Sequence, residues 1–413
     1  MAEIGDEDTL ACRIVQPREQ SYSDLITDQT DSARPAMPLL RMVVGVTSAQ
    51  TCLVLTGRLG ALRRAGLEVT LVSSPGELLD RTAESEGVAA HSIQTQRGIA
   101  PISDLLSFFR VLIFLARVKP LITDFSTPKM GLLGNVAAWM LRVPHRVYTL
   151  RGLKLESSRG WKRSVLLRSE RLAAWCAHVV LCNSESLLSE AQLLGVAPKR
   201  KLHVLGNGSS NGVDTDRFSP GVSSIRGELG IAKRDVVLGF VGRLTRDKGV
   251  PELLIAFDAV LGREPDCWLL LVGWFDAAED ALEERWRERI AGHPRILHVG
   301  FVADTASYYR AMDMLILPTH REGFPNVVLE AAASGLPVIS TECTGARDAV
   351  LPQVTGLLVP PRDVRAIGDA ILALVQDSEM RLRMGAAGRN WVMRGFSRDR
   401  VLELAVRFYQ ELL

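Results

Sequence analysis

The sequence predicts an α/β protein built from two doubly wound parallel-sheet domains that face one another. Three observations lead there. At 413 residues the chain exceeds one ordinary domain, and its 47% apolar content is enough for two cores. Short apolar runs alternate with helix-length segments, the pattern of a parallel sheet covered on both faces. The alternation pauses once, at Gly206-Asn207-Gly208-Ser209-Ser210-Asn211-Gly212 and Phe218-Ser219-Pro220-Gly221, whose turn-forming residues read as a linker.

Before the linker, β-branched and apolar runs give strands at Met42 to Val46, Glu68 to Ser73, Pro120 to Phe125, Arg146 to Leu150, His178 to Asn183 and Lys201 to Leu205. Helices fill the gaps at Leu53 to Arg64, Pro75 to Glu86, Asp104 to Arg117, Met130 to Leu141, Trp161 to Cys176 and Ser186 to Leu194. After the linker, strands are expected at Val236 to Gly242, Cys267 to Val272, Ile296 to Gly300, Leu315 to Leu317, Pro337 to Ser340 and Gly356 to Val359. Helices are expected at Pro251 to Leu261, Ala277 to Ala291, Ala303 to Ala311, and at Val327 to Ser334, which Gly335 ends. Arg362 to Val375, Ser378 to Arg394 and Ser397 to Leu412 close the chain as helices. Ligands of such sheets sit at the carboxyl ends of the strands, so the cleft between the two domains is the expected site.

Charge is unevenly spread around a net of +2. Residues 1–38 carry 3 Lys/Arg against 8 Asp/Glu, residues 39–205 carry 22 against 11, and residues 206–413 carry 24 against 28. The basic first domain therefore calls for an anionic partner. It lacks a clustered Lys/Arg face interleaved with aromatics, which argues against nucleic acid. Six scattered cysteines without a CxxC pair, and seven dispersed histidines, support neither a disulfide framework nor a metal site, so a reducing cytoplasm is expected. The acidic, polar start is unlike a secretory signal, and no run of about 18 uncharged apolar residues predicts a spanning helix. Residues 1–38 lack periodicity and read as a disordered extension.

Two constellations carry chemistry. Glu322 and Glu330 are spaced E-x7-E across the end of the Leu315 to Leu317 strand and the helix after it, with Gly323, Phe324, Pro325 and Asn326 between them. A helix N-terminus favours phosphate, and carboxylates accept hydrogen bonds from sugar hydroxyls, so together they suit a sugar nucleotide. The second is Gly242-Arg243-Leu244-Thr245-Arg246-Asp247-Lys248-Gly249, at the end of the second domain's first strand. Arg243 offers a planar fork and Lys248 a point charge for a diphosphate, while Gly242 and Gly249 allow close backbone approach to a ligand.

The runs GFVGRLTRDKG, REGFPNVVLEAAASGLPVIST and TGLLVPPRD resemble the donor half of glycosyltransferase family 4, whose fold is GT-B. Ser73-Ser74-Pro75-Gly76, Thr127-Pro128-Lys129, Gly131-Leu132-Leu133-Gly134 and Gly206 to Asp214 resemble the branch that builds capsular, exopolysaccharide or O-antigen repeat units on polyprenyl diphosphate. The resemblance implies an acceptor domain over residues 39–218, a donor domain over 219–395, and a C-terminal crossover helix over 396–413 that packs back toward the first domain. It also implies a metal-independent, cofactor-free enzyme that retains anomeric configuration. Its donor would be a nucleotide diphosphate sugar, uridine diphosphate first and guanosine diphosphate second. By the resemblance, Arg243 and Lys248 would hold the diphosphate, Glu322 the transferred sugar, the backbone of Gly323 to Asn326 the sugar and phosphate, and Glu330 the ribose. Where many relatives carry His-Gly, this chain has Arg151-Gly152, and an arginine is not a ready base. Arg151 can still hydrogen-bond a sugar or the leaving phosphate. The first βα loop, Val46 to Gln50, lacks the paired glycines of many relatives.

The acceptor expected from the resemblance is a polyprenyl-diphosphate-linked saccharide, with Lys129, Lys162 and Arg163 at the acceptor or membrane side. Peripheral contact with the anionic inner face of the plasma membrane follows from the basic domain and from Trp161 to Arg168, where basic and apolar residues mix. Residues 105–117 form a strongly apolar helix, read first as core-packed and otherwise as a membrane-surface element. His145, His178 and His298 read as structural, and His320 as a neighbour of the donor loop. Other functions remain in view: a sugar-nucleotide epimerase of similar fold, a transferase to a soluble acceptor, a phosphorylase needing pyridoxal phosphate, and a non-catalytic binding module.

Overall fold

The computed structural model describes residues 40–95, 98, 100–276 and 280–413. The extension expected over residues 1–38, and the expected helix start at Ala277, lie outside the described residues. The first lobe runs β1 (Leu40–Gly45), α1 (Ala49–Cys52), α2 (Arg58–Arg64), β2 (Leu67–Ser73), α3 (Glu77–Glu86), β3 (Ala89–Ser92), α4 (Pro101–Val118), β4 (Ile122–Ser126) and α5 (Pro128–Met140). It continues with β5 (His145–Leu150), α6 (Gly160–Cys176), β6 (Val179–Cys182), α7 (Glu185–Leu193) and β7 (Leu202–Val204). These strands form a seven-stranded sheet ordered β3-β2-β1-β4-β5-β6-β7. Every pairing is parallel, with Val44 opposite both Leu71 and Asp124.

The second lobe follows a short α8 (Ile225–Glu228) with β8 (Val236–Val241), α9 (Val250–Leu261), β9 (Cys267–Val272), α10 (Glu284–Gly292), β10 (Ile296–His298) and α11 (Ala306–Tyr309). Then come β11 (Met314–Leu317), α12 (Asn326–Ala333), β12 (Val338–Thr341), β13 (Gly356–Val359), α13 (Val364–Gln376), α14 (Ser378–Gly395) and α15 (Arg398–Glu411). Its six parallel strands are ordered β10-β9-β8-β11-β12-β13. In both sheets the strand order reverses beside the first strand, which opens a crevice at the carboxyl edge. Residues Leu40–Leu413 form one compact unit.

Buried aliphatic residues on the strands make the cores, as expected of sheets covered on both faces. Val237, Leu238, Phe240, Leu269 and Ile316 anchor the second lobe. Met42, Val44, Leu71 and Ile122 anchor one face of the first, and Val43, Phe125 and Met130 the other. The last helix returns to the first lobe as expected: Tyr409 is buried in the first lobe's core and its Oη donates to Asp124 Oδ2 at 2.6 Å.

Four elements differ from expectation. The helix expected from Ala277 begins only at Glu284, because Asp280 to Glu283 are not helical and Ala281 instead forms an antiparallel bridge with Thr245. The helix expected over Leu53 to Arg64 is broken into a 3-10 turn at Leu53–Leu55, which continues from α1, and α2, with Gly57 at φ 85° just before α2. The edge strand β3 went unread because Ala89-Ala90-His91-Ser92 is exposed throughout and has no apolar alternation. The α4 helix is not simply core-packed. Only Ser107, Val111 and Leu115 are buried, and a stripe of large apolar residues faces outward.

Candidate active site

β8 and β11 are neighbours in the second sheet, with Met314 opposite Leu238, so Gly242-Arg243 and the Pro318 to Gly323 loop leave the same edge. From the first sheet, β4 delivers Thr127-Pro128 to the start of α5, and β5 delivers Arg151-Gly152. Between them lies a cleft of about 260 Å³ whose lining includes Thr127, Arg151, Arg243, Lys248, Arg321 and Glu322. Residues far apart in sequence are thus gathered into one cation-rich space.

Carboxylates face these cations. Lys248 Nζ donates to Glu322 Oε1, Arg243 Nη1 donates to Asp276 Oδ2 at 2.5 Å, and Arg321 donates to Asp247 Oδ2 at 3.0 and 2.8 Å. Side-chain exposure is only 21% for Lys248 and 12% for Glu322, so the pair is shielded from solvent. Ion pairs of this kind contribute little net stability, because desolvation offsets the attraction. An anion can therefore exchange for the carboxylate at modest cost.

The lobes touch at Gly323. A Cβ built there would stand 2.0 Å from the Arg151 carbonyl oxygen, so only glycine permits the approach. Other bonds hold the same seam. Ser186 Oγ donates to Asp348 Oδ2, Gly345 N donates to Ser186 Oγ at 2.7 Å, and Ser209 Oγ donates to Asn326 Oδ1 at 3.1 Å. Gly249 has a further reason beside the one expected. Its Cβ would stand 1.9 Å from the Pro318 carbonyl oxygen, so loop-to-loop packing also requires a glycine here.

Arg151 is held as a fixed donor. Its Nε donates to Ser126 Oγ at 3.0 Å and its Nη1 to Ser210 Oγ at 2.9 Å. Nη2 is buried with no partner among the described residues. Burial, and then nearby Arg58, lower its pKa to about 10, which still leaves it a cation at neutral pH. Beneath it Asp124 accepts from Thr149 Oγ1 and Tyr409 Oη, both at 2.6 Å, which ties α15 to the cleft floor. The glycine-poor first βα loop is occupied by Thr47, whose Oγ1 lies 2.5 Å from Thr127 Oγ1 and accepts from Met130 N.

The remaining sequence-derived candidates separate. Glu330 accepts from Tyr309 Oη at 2.8 Å, and burial raises its pKa. It is not in the lining of the cleft around Lys248. The Phe324 side chain is buried beside Phe396, which leaves its backbone to the loop. Pro325 is the residue before α12, and no side chain caps that helix. Gly242 has φ 145°, and a Cβ there would meet only the Phe240 ring, at 3.9 Å. Lys129 is engaged by Asp104 Oδ1 at 2.5 Å, whereas Lys162 and Arg163 are exposed in the first turn of α6. His320 Nε2 lies 3.0 Å from Glu252 Oε1, behind the donor loop. Sequence reasoning missed Asp276, Asp247 and the Ser126–Ser210 cradle. Asp276 was findable as a carboxylate just past β9 on the same sheet edge, but Ser210 lies in a linker with no chemical signature.

Comparison with known proteins follows the same division. Residues 57–208 match the family described as Glycosyl transferase 4-like domain, and residues 235–377 match Glycosyl transferases group 1. The capsular polysaccharide biosynthesis glycosyltransferase CapM of Staphylococcus aureus is 34% identical over 369 residues, covering 89% of this chain and 96% of that protein. The chain belongs to glycosyltransferase family 4. This family 4 enzyme is also 28% identical, over 313 residues, to the Escherichia coli UDP-Gal:alpha-D-GlcNAc-diphosphoundecaprenol alpha-1,3-galactosyltransferase, covering 73% of this chain and 78% of that one. Among solved structures, Anabaena HepE in complex with UDP and glucose superposes with a TM-score of 0.73 at 20% identity, covering 90% of this chain and 99% of that one. Sucrose-phosphate synthase from Thermosynechococcus elongatus gives 0.74 at 22% identity, covering 90% and 98%. These likenesses establish the GT-B fold, and the chain is a glycosyltransferase. Among the described residues, no helix of this glycosyltransferase is long and apolar enough to cross a membrane.

Proposed function

We propose that the enzyme transfers a hexose or N-acetylhexosamine from a nucleotide diphosphate sugar, UDP-linked by first choice, to a polyprenyl-diphosphate-linked saccharide in capsular or related cell-surface polysaccharide synthesis. The observation that carries this reading is the cleft itself, where Arg243 and Lys248 stand with the Glu322-Gly323 loop at the carboxyl edge of β8 and β11. CapM supports the pathway, and the E. coli transferase, named for a diphosphoundecaprenol acceptor, supports the lipid-linked acceptor.

In this reading the diphosphate takes Lys248 from Glu322 and bonds the Arg243 fork. Glu322, once released, accepts from hydroxyls of the transferred sugar. Glu330, steadied by Tyr309, holds the ribose, and the uncapped start of α12 faces the phosphates. The acceptor hydroxyl attacks C1 from the face the diphosphate leaves, so the new C–O bond forms as the bond from C1 to the diphosphate oxygen breaks and the configuration is retained. The hydroxyl proton passes to the leaving diphosphate. Arg243 and Lys248 supply the charge compensation that a divalent ion would otherwise give, which is the basis for reading the reaction as metal-independent. Arg151 donates a hydrogen bond to sugar or phosphate and transfers no proton. The enzyme works at the cytoplasmic face of the plasma membrane, held peripherally.

A panel of nucleotide sugars incubated with membrane lipid extract tests the proposal. Nucleotide diphosphate should be released from one or two donors only, and only when extract is present. Release from none, or conversion of the donor to an epimer, overturns it.

A further inference from the structure

The α4 helix is apolar on two opposite sides. Ser107, Val111 and Leu115 recur every four residues and face the core, with Ser107 Oγ donating to Gln94 O at 2.7 Å. Ile102, Leu105, Leu106, Phe109 and Ile113 form the opposite stripe, exposed by 81%, 55%, 54%, 50% and 51%. A surface helix ordinarily places polar residues there. An apolar patch on this scale, rimmed by charge, marks an interaction surface.

Exposed tryptophans also lie on the next two helices. After β3 the chain winds back across the other face of the sheet, so α4, α5 and α6 form one layer. Trp139 at the end of α5 packs against Trp175 at the end of α6 with ring centroids 5.1 Å apart, and both remain exposed. Trp161 opens α6, also exposed. Exposed Arg110 and Arg117 flank the stripe, and Lys162, Arg163 and Arg168 are exposed on α6. Asp104, an acid on α4, is already taken by Lys129.

We propose that the outward stripe of α4, with Trp161 and the Trp139–Trp175 pair, seats the enzyme on an anionic phospholipid leaflet. Charge selects this occupant. Residues 39–205 carry 22 Lys/Arg against 11 Asp/Glu, so a second copy apposed on this face would set like charge against like, whereas an anionic leaflet complements both rim and stripe. Apolar side chains with a basic flank are the composition of an interfacial helix.

The same geometry connects the leaflet to the cleft. Lys129, bonded to Asp104 in the first turn of α4, directly follows Thr127 and Pro128, which line the cleft. The N-terminal end of α4 therefore stands at the cleft lip, so a seated leaflet presents its headgroup plane there. This step deepens the lipid-linked-acceptor reading and rests on it for the cargo alone; leaflet binding is measured independently.

The test is flotation of the full chain with vesicles of phosphatidylglycerol and phosphatidylcholine, against vesicles of phosphatidylcholine alone, at low and high salt. Wild type should float with the anionic vesicles, less so at high salt. The double variant Leu105→Ser/Phe109→Ser should bind them at least tenfold more weakly, and Phe109→Leu should retain binding. Both variants should keep the wild-type circular dichroism and wild-type transfer to a short-chain, water-soluble acceptor analogue. The inference is overturned if wild type does not float, if the double variant floats like wild type, or if wild type is a dimer that the double variant disperses with no vesicle binding in either. Failure of wild type to act on the soluble analogue would count against the proposed reaction and leave the flotation result standing.

Discussion

Lys248 and Glu322 hold one another in the cleft, so in the proposed reading a diphosphate gains Lys248 only by displacing a carboxylate. A charge-assisted hydrogen bond is worth roughly 1.5–3 kcal/mol. Lys248→Ala should therefore reduce kcat/KM about ten- to a hundredfold while the fold survives, with a lowered melting temperature because Glu322 is left shielded from solvent and unpaired. Steady-state kinetics with the active donor check this, and unchanged turnover removes Lys248 from the site. The two glutamates should fail differently. Glu322→Gln should lower kcat more than nucleotide affinity, because Glu322 lies in the cleft with the cations. Glu330→Ala should weaken binding of free nucleoside diphosphate, because Glu330 sits apart on Tyr309. Calorimetry with nucleotide alone separates them, and equal loss in both variants contradicts the division. These residues were legible because strand-end charge and the E-x7-E spacing are local patterns. Their partners were not: Ser126, Ser210 and Tyr309 reach the site only through tertiary packing.

The elements that shape the cleft do so through close contacts and buried polar groups. Gly323→Ala would place a methyl 2.0 Å from the Arg151 carbonyl oxygen, so the seam between the lobes must open. The variant should lose most turnover yet still bind free nucleotide, measured by paired kinetics and calorimetry. On α6, Glu170 accepts from Tyr148 Oη, and burial raises its pKa to about 7. A carboxyl whose native pKa exceeds its unfolded value stabilises the fold fully below about pH 4.5, and that contribution is lost as pH rises to about 7. Glu170→Gln should therefore melt higher than wild type at pH 8, on the order of 1–3 kcal/mol more stable, and show little gain at pH 4.5. Melting curves across pH decide it. Most elements were legible from apolar periodicity. β3 was not, since an exposed Ala-Ala-His-Ser edge carries no pattern, and neither was the break at Gly57, whose positive φ is invisible in an otherwise helical run. The outward side of α4 was misread for the same kind of reason. Periodicity reports that two faces are apolar, and only packing shows which one is covered.

For the whole molecule, the two-lobe architecture followed from length, alternation and a single linker, because each is set by the covering of a parallel sheet. Charge asymmetry forecast a basic first lobe but not where its basic residues would act, since Lys129 is consumed by Asp104 while Lys162 and Arg163 stay exposed. The C-terminal helix completes that lobe: Tyr409 is buried there and bonds Asp124 beneath Arg151. Tyr409→Phe should therefore alter the cleft from a distance, lowering transfer several-fold with donor affinity unchanged, as initial rates and nucleotide titration would report. The most direct test of the account is transfer by the purified enzyme, with the donor found in the nucleotide-sugar panel, to a synthetic polyprenyl-diphosphate saccharide, the product's anomeric configuration being read by NMR. A single new glycosidic bond with the donor's own configuration is the predicted result; an inverted linkage, or nucleotide release with no glycosylated lipid, would contradict it.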